Sequence, residues 1–231
     1  MSTDIAAYID HTLLSPQATR AQITKLCQEA AEHKFFAVCV NPCHVRQAVK
    51  ELSSTKVAVA TVVGFPLGAN LTDIKIAETQ RAISEGAEEI DMVINVGVLK
   101  SGDNDFIENE IKAIVRAAKD VPVKVIIECD LLSDDEKVAA SEACVKAGAA
   151  MVKTSTGFVK DGVGATVQDI ELIKKAIAGS KLGIKASAGI RDYAKAKALI
   201  EAGATRLGTS AGIDIVKGAK GEKVEPVKAA Y

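Results

Sequence analysis

The feature that most constrains the fold of this 231-residue chain is an alternation of short β-branched runs with amphipathic stretches at helical spacing, repeated eight times. The predicted strands are 8–11, 36–40, 57–63, 89–95, 123–128, 150–154, 182–187 and 205–209. The predicted helices are 19–33, 42–53, 72–86, 103–119, 134–147, 166–178, 191–202 and 211–217. Repeated strand–helix units pair their strands in parallel through right-handed crossovers, so the pattern predicts an α/β fold.

Three of the predicted helices end in similar phrases, SEGAEEI, VKAGAAM and IEAGATRL, each with a glycine where a left-handed cap is needed. SDDE at 133–136 is a capping box that opens another helix. Because the units are even in length, we expect them to close into a single-domain (β/α)8 TIM barrel over 1–217, near the usual size of about 250 residues. An open doubly wound sheet or two small domains are the alternatives. Residues 218–231 are polar and weakly patterned, so we expect a flexible tail.

The composition excludes several classes of partner. Hydrophobic residues make up 48% of the chain and aromatic residues 3%, with no Trp, so the core must be aliphatic. A formal net charge of −1 gives no electrostatic footprint for nucleic acid or an anionic membrane. The first residues do not read as a signal peptide, and no apolar run approaches the roughly 18 residues of a membrane helix. The expectation is a cytoplasmic protein with neither nucleic-acid nor membrane partners.

The five cysteines are odd in number and lie mostly in apolar stretches, as reduced and buried thiols do. Cys39, Cys43 and His44 are the nearest approach to a metal site. Their spacing matches no common zinc pattern and supplies no fourth ligand, so core packing is favoured and no metal is predicted.

Charged residues interrupt several predicted strands, as in AMVKTSTGF at 150–158. With side chains alternating between the two faces of each strand, Asp91, Lys124, Lys153 and Lys185 can all project into one barrel interior. Lys153 and Lys185 come late in their strands, at the end where active sites of this fold lie. Lys124 comes earlier and should lie deeper.

Two lysines on neighbouring strands suggest nucleophilic chemistry. Each ammonium disfavours the other and burial adds to this, so one amine of the pair is expected to have a pKa lowered toward neutrality. A neutral amine attacks carbonyls to form a Schiff base, and Asp91 is placed to move protons, directly or through a water. The alternative is a structural ion network in which every lysine is paired.

Two loops suggest a phosphate site, because in this fold the loops after strands seven and eight often bind phosphate with a helix N-terminus. They are SAGIRD at 187–192 and GTSAGI at 208–213. Their glycines permit close backbone approach, Ser187 and Ser210 offer hydroxyls, and Arg191 adds charge. A third glycine-containing loop, 155–164, follows strand six. Ordinary loop chemistry is the alternative.

Eight segments in order, YIDHTLL, FAVCVNP, VVGFPLG, EIDMVINVG, KVIIE, AMVKTSTGF, KASAGIRD and RLGTSAG, resemble the deoxyribose-phosphate aldolase family over nearly the whole chain. The resemblance implies a class I aldolase on a (β/α)8 barrel, with no metal or other cofactor. Its substrate would be a small phosphorylated sugar, 2-deoxy-D-ribose 5-phosphate, cleaved reversibly to D-glyceraldehyde 3-phosphate and acetaldehyde. Relatives are often dimers, so a homodimer is expected.

The same resemblance implies roles for individual residues. Lys153 would carry the Schiff base, Lys185 would perturb it and share in proton transfer, and Asp91 would donate and accept protons. The predicted substrate-binding residues are Asp10, Thr12, Cys39, Lys124, Thr154, Gly157, Ser187, Gly189, Gly208, Ser210 and Tyr231. Of these, Tyr231 would fold back to help move the substrate proton, as a C-terminal tyrosine does in some relatives.

Two positions depart from the family pattern. Ala188 stands where glycine is usual, which adds a methyl group beside the predicted phosphate site, and Cys129-Asp130 replaces a frequent threonine. Two other functions stay open on the residues alone. One is a phosphosugar isomerase or synthase that uses the lysines as acid and base, and the other is a non-catalytic phosphate-binding protein.

Overall fold

The computed structural model describes residues 4–222, in which eight parallel strands close into a barrel in sequence order. The strands are β1 (Ile9–Leu13), β2 (Ala37–Val40), β3 (Ala58–Val63), β4 (Glu89–Val93), β5 (Val123–Ile126), β6 (Met151–Lys153), β7 (Gly183–Ser187) and β8 (Arg206–Thr209). Asp10 of β1 pairs with Gly208 of β8, so the sheet has no free edge. The predicted (β/α)8 barrel is confirmed and the open sheet is excluded.

Helices follow the strands on the outside of the barrel. They are α1 (Arg20–His33), α2 (Val45–Leu52), α3 (Thr72–Ser84), α4 (Val96–Lys100), α5 (Asn104–Ala118), α6 (Asp134–Ala147), α7 (Val167–Ala176), α8 (Tyr193–Ala202) and α9 (Gly212–Ala219). The short helix α4 was not predicted. The predicted helix 42–53 begins with a tighter turn, Pro42–His44, whose proline occupies a position where a missing N–H donor costs no helical hydrogen bond.

The predicted helix signals have the expected geometry. Ser133 and Glu136 form a reciprocal capping box at the start of α6. The glycines after α3, α6 and α8 have φ angles of 102° (Gly86), 77° (Gly148) and 130° (Gly203). Residues other than glycine rarely adopt these φ angles, so these glycines let the chain turn from each helix into the next strand.

The core between the strands and the helices is aliphatic, as the composition predicts. Outward-facing strand residues such as Ile90, Val125 and Ile184 are buried against helix residues such as Ile111 and Ile173. The barrel interior is different, because charged side chains from six strands fill much of it. The hydrophobic core holds the strands in register, and this register brings the charged groups together.

The structure also bears on the predicted membrane and tail features. Within residues 4–222, no helix combines the length and the apolar character that a membrane span requires. The last helix, α9, ends at Ala219, slightly beyond the predicted end of the barrel at residue 217. Most of the predicted tail, including Tyr231, lies outside the described residues.

Candidate active site

Asp91 lies at the centre of three buried lysines inside the barrel. Its Oδ2 accepts hydrogen bonds from Nζ of Lys153 and Nζ of Lys185, each at 2.7 Å. Its Oδ1 accepts from Nζ of Lys124 at 2.8 Å. The strand register pairs Asp91 with Lys124 and Lys153 with Lys185, which places all four side chains on the inner face. Their predicted convergence is therefore confirmed.

A second layer of charged side chains comes from positions earlier in the strands. Nη1 of Arg206 lies 2.9 Å from Oδ1 of Asp10 and 3.0 Å from Oε2 of Glu89. Glu89 also contacts Nζ of Lys124 at 2.7 Å, and Asp10 accepts a hydrogen bond from Lys185. Lys124 therefore reaches the deeper layer, as its early position in β5 predicts.

Arg206 is a member of this network that the sequence pattern did not single out. It pairs with Lys185 in the register between β7 and β8, and the ring of Phe36 covers its guanidinium at 3.4 Å from the ring centroid. The alternation rule applied to RLGT would have placed Arg206 on the inner face beside Gly208. With Arg206 included, four basic groups face three carboxylates.

The contacts explain the protonation of the network. Burial alone would raise the pKa of Asp91, but the ammoniums of Lys124, Lys153 and Lys185 together hold it well below the usual aspartate range. Burial opposes the charge on Lys185, but the carboxylates of Asp10 and Asp91 outweigh it and raise the pKa of that ammonium. Asp91 and Lys185 are thus both held in their charged forms near neutral pH.

Of the two neighbouring lysines, Lys185 is not the one whose pKa is lowered. Its Nζ contacts two carboxylates, and attraction to these exceeds the effect of burial. Asp10 precedes Lys185 by 175 residues. The strand pattern alone did not show that Asp10 and Lys185 would touch.

A cavity of about 620 Å³ opens at the carboxyl ends of the strands, where this fold carries its active sites. Lys153 borders this cavity, and its side chain is 4% exposed. Asp91, Lys124 and Lys185 lie behind it and are fully buried. Of the three lysines, Lys153 is therefore the one that a molecule in the cavity can reach.

The predicted substrate-binding residues fall into three groups. Those on the cavity wall are Thr12, Gly157, Ser187, Gly189, Gly208 and Ser210, together with Arg191. Those behind the wall are Asp10, Cys39, Lys124 and Thr154, which are fully buried. Tyr231 lies outside the described residues. The structure thus places the second group around the network or between strands rather than against the cavity.

Thr154 shows why a residue next to the lysine need not face the cavity. Its Oγ1 donates to the carbonyl of Ser187 at 3.2 Å and accepts from the Ser187 N–H at 3.1 Å. It therefore fastens the end of β6 to the end of β7. The hydroxyl of Ser187 donates to the carbonyl of Ser155 at 2.5 Å, so its proton is already engaged.

Cys39 lies close to the carboxylate at the centre of the network. Its Sγ is 4.0 Å from Oδ2 of Asp91, and burial raises the pKa of the thiol. It packs with Leu14, Ala60 and Val62, which form a small apolar cluster inside the barrel. The Cys39 side chain therefore contributes apolar surface beside Asp91.

Most of the remaining cysteines are buried, as predicted. Cys27, Cys129 and Cys144 are buried and Cys43 is exposed, and none of the five forms a disulfide. Among residues 4–222, no group of three or more His, Cys, Asp or Glu side chains is arranged to hold a metal ion. Cys39 and Cys43 are buried and exposed respectively, so they do not face a shared site.

The two predicted phosphate loops both reach the cavity, near its wall residues Gly189 and Ser210. Gly189 has φ 69°, a backbone conformation that glycine adopts freely. Gly212, at the start of α9, faces the core, because a Cβ there would lie 2.9 Å from the ring of Phe35. Gly212 therefore serves close helix packing, and its role in backbone approach to a ligand stays a prediction.

The model of the DeoC/LacD aldolase family matches residues 5–218. Among curated proteins, the deoxyribose-phosphate aldolase of Brevibacillus brevis is 54% identical over 213 residues, covering 92% of this chain and 95% of that protein. The deoxyribose-phosphate aldolase of a Geobacillus strain is also 54% identical, over 94% of this chain and 97% of its own length.

The fold is shared with solved structures as well. A tetrameric deoxyribose phosphate aldolase from Aeropyrum pernix superposes with a TM-score of 0.87 at 31% identity, covering 94% of this chain and 91% of that one. These similarities extend over the strands that carry the lysine network and over the loops that surround the cavity.

Proposed function

The chain belongs to the DeoC/LacD family of aldolases, and on that premise we propose that it reversibly cleaves 2-deoxy-D-ribose 5-phosphate to D-glyceraldehyde 3-phosphate and acetaldehyde. The observation that carries the proposal is the position of Lys153. Lys153 borders the cavity and its Nζ lies 2.7 Å from the Asp91 carboxylate, while the other lysines of the network lie behind it.

Lys153 acts as the nucleophile. It has one carboxylate partner, Asp91, whereas Lys185 has two, Asp10 and Asp91. One carboxylate therefore holds the Lys153 ammonium, and the neutral Lys153 amine is the form that attacks a carbonyl.

The first half of the reaction makes the carbon–carbon bond easier to break. The Lys153 amine adds to C1 of the open-chain sugar phosphate, and the carbinolamine loses water to give an iminium. Asp91 relays the protons of these steps directly or through a water. The iminium is an electron sink for the bond one carbon further along, C2–C3.

In the second half, the proton of the C3 hydroxyl is removed and the C2–C3 bond breaks. C3 leaves as the aldehyde carbon of D-glyceraldehyde 3-phosphate, and the bonding electrons form an enamine on C1 and C2. Protonation at C2 and hydrolysis of the iminium release acetaldehyde and restore the Lys153 amine. Lys185 shares in these transfers by keeping Asp91 oriented and ionised.

The phosphate end of the substrate lies against the loops that follow β7 and β8. Gly189, Gly208 and Ser210 supply backbone and hydroxyl groups there, Arg191 supplies charge, and Ser187 lines the same wall. Glycine backbones allow phosphate oxygens to approach N–H donors closely. Thr12 and Gly157 complete the substrate contacts on the wall, and Asp10, Lys124, Cys39 and Thr154 support the site from behind.

The test is to reduce the protein with borohydride in the presence of acetaldehyde and to map the modified peptide by mass spectrometry. The proposal predicts an ethyl group on Lys153, absent when acetaldehyde or borohydride is omitted. Lys153→Arg is the matched variant, because it keeps the positive charge but has no amine of the same reactivity. Modification of another lysine, or none, would refute the assignment of the nucleophile. It would then favour the acid–base role of an isomerase or a non-catalytic binding protein.

Three further expectations belong to the same proposal. The enzyme forms a homodimer, which light scattering after size-exclusion chromatography measures, and it works in the cytoplasm, where its thiols stay reduced. Tyr231 assists transfer of the acetaldehyde-derived proton. Exchange of that proton at an unchanged rate after deletion of Tyr231 would end this last idea.

A further inference from the structure

The segment between β6 and α7, residues 154–166, has no helix or strand and forms one wall of the cavity. The residues of this segment that line the cavity are Thr156, Gly157, Val159, Asp161, Gly162, Val163 and Gly164. Long segments without regular structure depend on side-chain contacts to hold one conformation. Two carboxylates that the mechanism does not use provide such contacts at its two ends.

Glu128, at the end of β5, holds the start of the segment. Its Oε1 accepts the N–H of Thr156 at 3.0 Å, and its Oε2 accepts the hydroxyl of the same residue. The Thr156 oxygen in turn accepts the N–H of Phe158 at 3.1 Å, which defines the turn around Gly157. Glu128 is 3% exposed and has φ 63°, an unfavourable angle for a glutamate that neighbouring contacts must maintain.

Asp130, two residues later, holds the end of the segment. Its two carboxylate oxygens accept the N–H groups of Val163 and Gly164 at 3.0 and 3.1 Å. On the other side, the N–H of Ala165 donates to the carbonyl of Ala188 at 3.1 Å. A Cβ at Gly164 would lie 2.5 Å from the Ala188 backbone, so the segment fits tightly against the predicted phosphate loop.

We propose that Glu128 and Asp130 form a two-point clamp that holds this wall in the shape that binds the phosphate group, and that they thereby set the preference for phosphorylated over unphosphorylated sugars. The inference rests on the proposed function. Both are positioning residues, because they act through Thr156, Val163 and Gly164 of the segment, and Asp130 also lines the cavity. Because the 154–166 segment is already ordered, substrate binding does not have to include the entropic cost of ordering it. A substrate without phosphate makes few contacts with this wall, so its affinity depends little on that order.

The experiment compares Glu128→Ala and Asp130→Ala with a matched control, Asp135→Ala. Asp135 is an exposed carboxylate at the start of α6 for which the structure shows no hydrogen bond or ion pair among residues 4–222. For both clamp variants we expect KM for 2-deoxyribose 5-phosphate to rise about tenfold or more, because hydrogen bonds to a charged acceptor are lost. We expect kcat/KM for 2-deoxyribose to change less than about threefold. The control should leave both values unchanged.

Conservative variants separate positioning from a general loss of structure. Glu128→Gln keeps an oxygen for the Thr156 N–H and offers an amide donor to the Thr156 hydroxyl oxygen, so it should restore nearly normal KM. Asp130→Asn keeps one acceptor for two N–H groups and should fall between the alanine variant and the parent. Equal losses for the two sugars, or an unchanged KM for the phosphorylated sugar, would overturn the proposal.

Two readouts keep this test distinct from that of the aldolase chemistry. Acetaldehyde carries no phosphate, so borohydride labelling of Lys153 should proceed normally in the clamp variants. Failure of labelling in the parent would refute the proposed function, whereas failure confined to the clamp variants would refute the clamp. Affinity for inorganic phosphate, measured by calorimetry, should fall about tenfold in the alanine variants whether or not the parent is an aldolase. Unaltered phosphate affinity would contradict the clamp.

Discussion

Strand β4 has buried lysines on both of its sides, and the two groups differ in what surrounds them. Outside the barrel, Lys75 of α3 contacts Glu110 of α5 at 2.9 Å and donates to the carbonyl of Val93 at 2.8 Å. Inside the barrel, Asp91 collects Lys124, Lys153 and Lys185. Both groups are nearly inaccessible to water, so burial alone does not distinguish them.

The difference lies in charge balance and in access. The outer group is one ammonium matched by one carboxylate, and Glu110 also accepts the N–H of Asn95 at 3.2 Å, which closes the arrangement. The inner network has one more basic group than carboxylates, and Lys153 borders a cavity. A buried lysine therefore becomes available for chemistry when its neighbours leave one charge unmatched and a substrate can reach it, whereas the outer pair serves to fasten helices to the strand.

The largest expected effect separates the two groups by activity. Lys153→Met should reduce turnover of 2-deoxyribose 5-phosphate at least about a thousandfold, because the covalent nucleophile is removed. The free energy of unfolding should stay within about 1 kcal/mol or rise, because the network loses its surplus charge. Steady-state kinetics and urea unfolding measure the two quantities. Wild-type turnover in this variant would show that the inner network is structural, like the outer pair.

The next effect should appear in stability and leave the chemistry intact. Lys75→Met leaves Glu110 buried without its partner and should lower the free energy of unfolding by about 3–5 kcal/mol. Lys75→Met combined with Glu110→Gln should recover part of this loss, since the amide is neutral and can still accept from Asn95. Urea unfolding measures both variants, with the exposed Lys50→Met as control. Loss of the acetaldehyde adduct on Lys153 in the folded double variant would contradict the division of roles.

The pH dependence of stability should have opposite signs for Lys75 and Lys185. Burial, only partly opposed by Glu110, lowers the pKa of Lys75 below its usual 10.5, so the unfolded chain binds the extra proton and stability rises as pH approaches 10.5. The pKa of Lys185 is raised, so its stabilisation is complete below 10.5 and declines only above that value.

Between pH 8 and about 10.5, Lys75 should contribute a slope of at most about 1.4 kcal/mol per pH unit to the free energy of unfolding. The Lys75→Met variant should lose this contribution. Lys185→Met should show no corresponding change of slope over that range. Identical slopes for Lys75→Met and wild type would mean that the outer lysine is not disfavoured in its charged form.

The smallest effect concerns Ala188, which lines the cavity beside the predicted phosphate site. Ala188 has φ 69°, a left-handed conformation that costs a residue with a Cβ about 1 kcal/mol. Ala188→Gly should raise the free energy of unfolding by up to about 1 kcal/mol, less the entropy that glycine adds to the unfolded chain. It should also lower KM for the phosphorylated sugar slightly if the methyl group crowds the phosphate. A destabilised Ala188→Gly variant would show that the methyl group contributes packing against the 154–166 segment.

The sequence by itself determined the repeated strand–helix units, most of their boundaries and the inward faces of Asp91, Lys124, Lys153 and Lys185. These features follow from local rules, since side-chain alternation, helix capping and glycine conformation depend on residues within a few positions. The short helix α4 was not predicted, because a five-residue element has too few positions to show the helical period of hydrophobic residues.

Only the tertiary structure decided which lysine meets the cavity and which groups neutralise the others. Asp10 and Lys185 are 175 residues apart, and Arg206 reaches Asp10 across 196 residues. Likewise, the contacts of Asp130 with Val163 and Gly164 join the segments that follow the neighbouring strands β5 and β6. Such contacts arise when the closing barrel brings distant strand ends together. Electrostatic energies between buried groups depend on their separation and on the local dielectric, and only the closed barrel sets both.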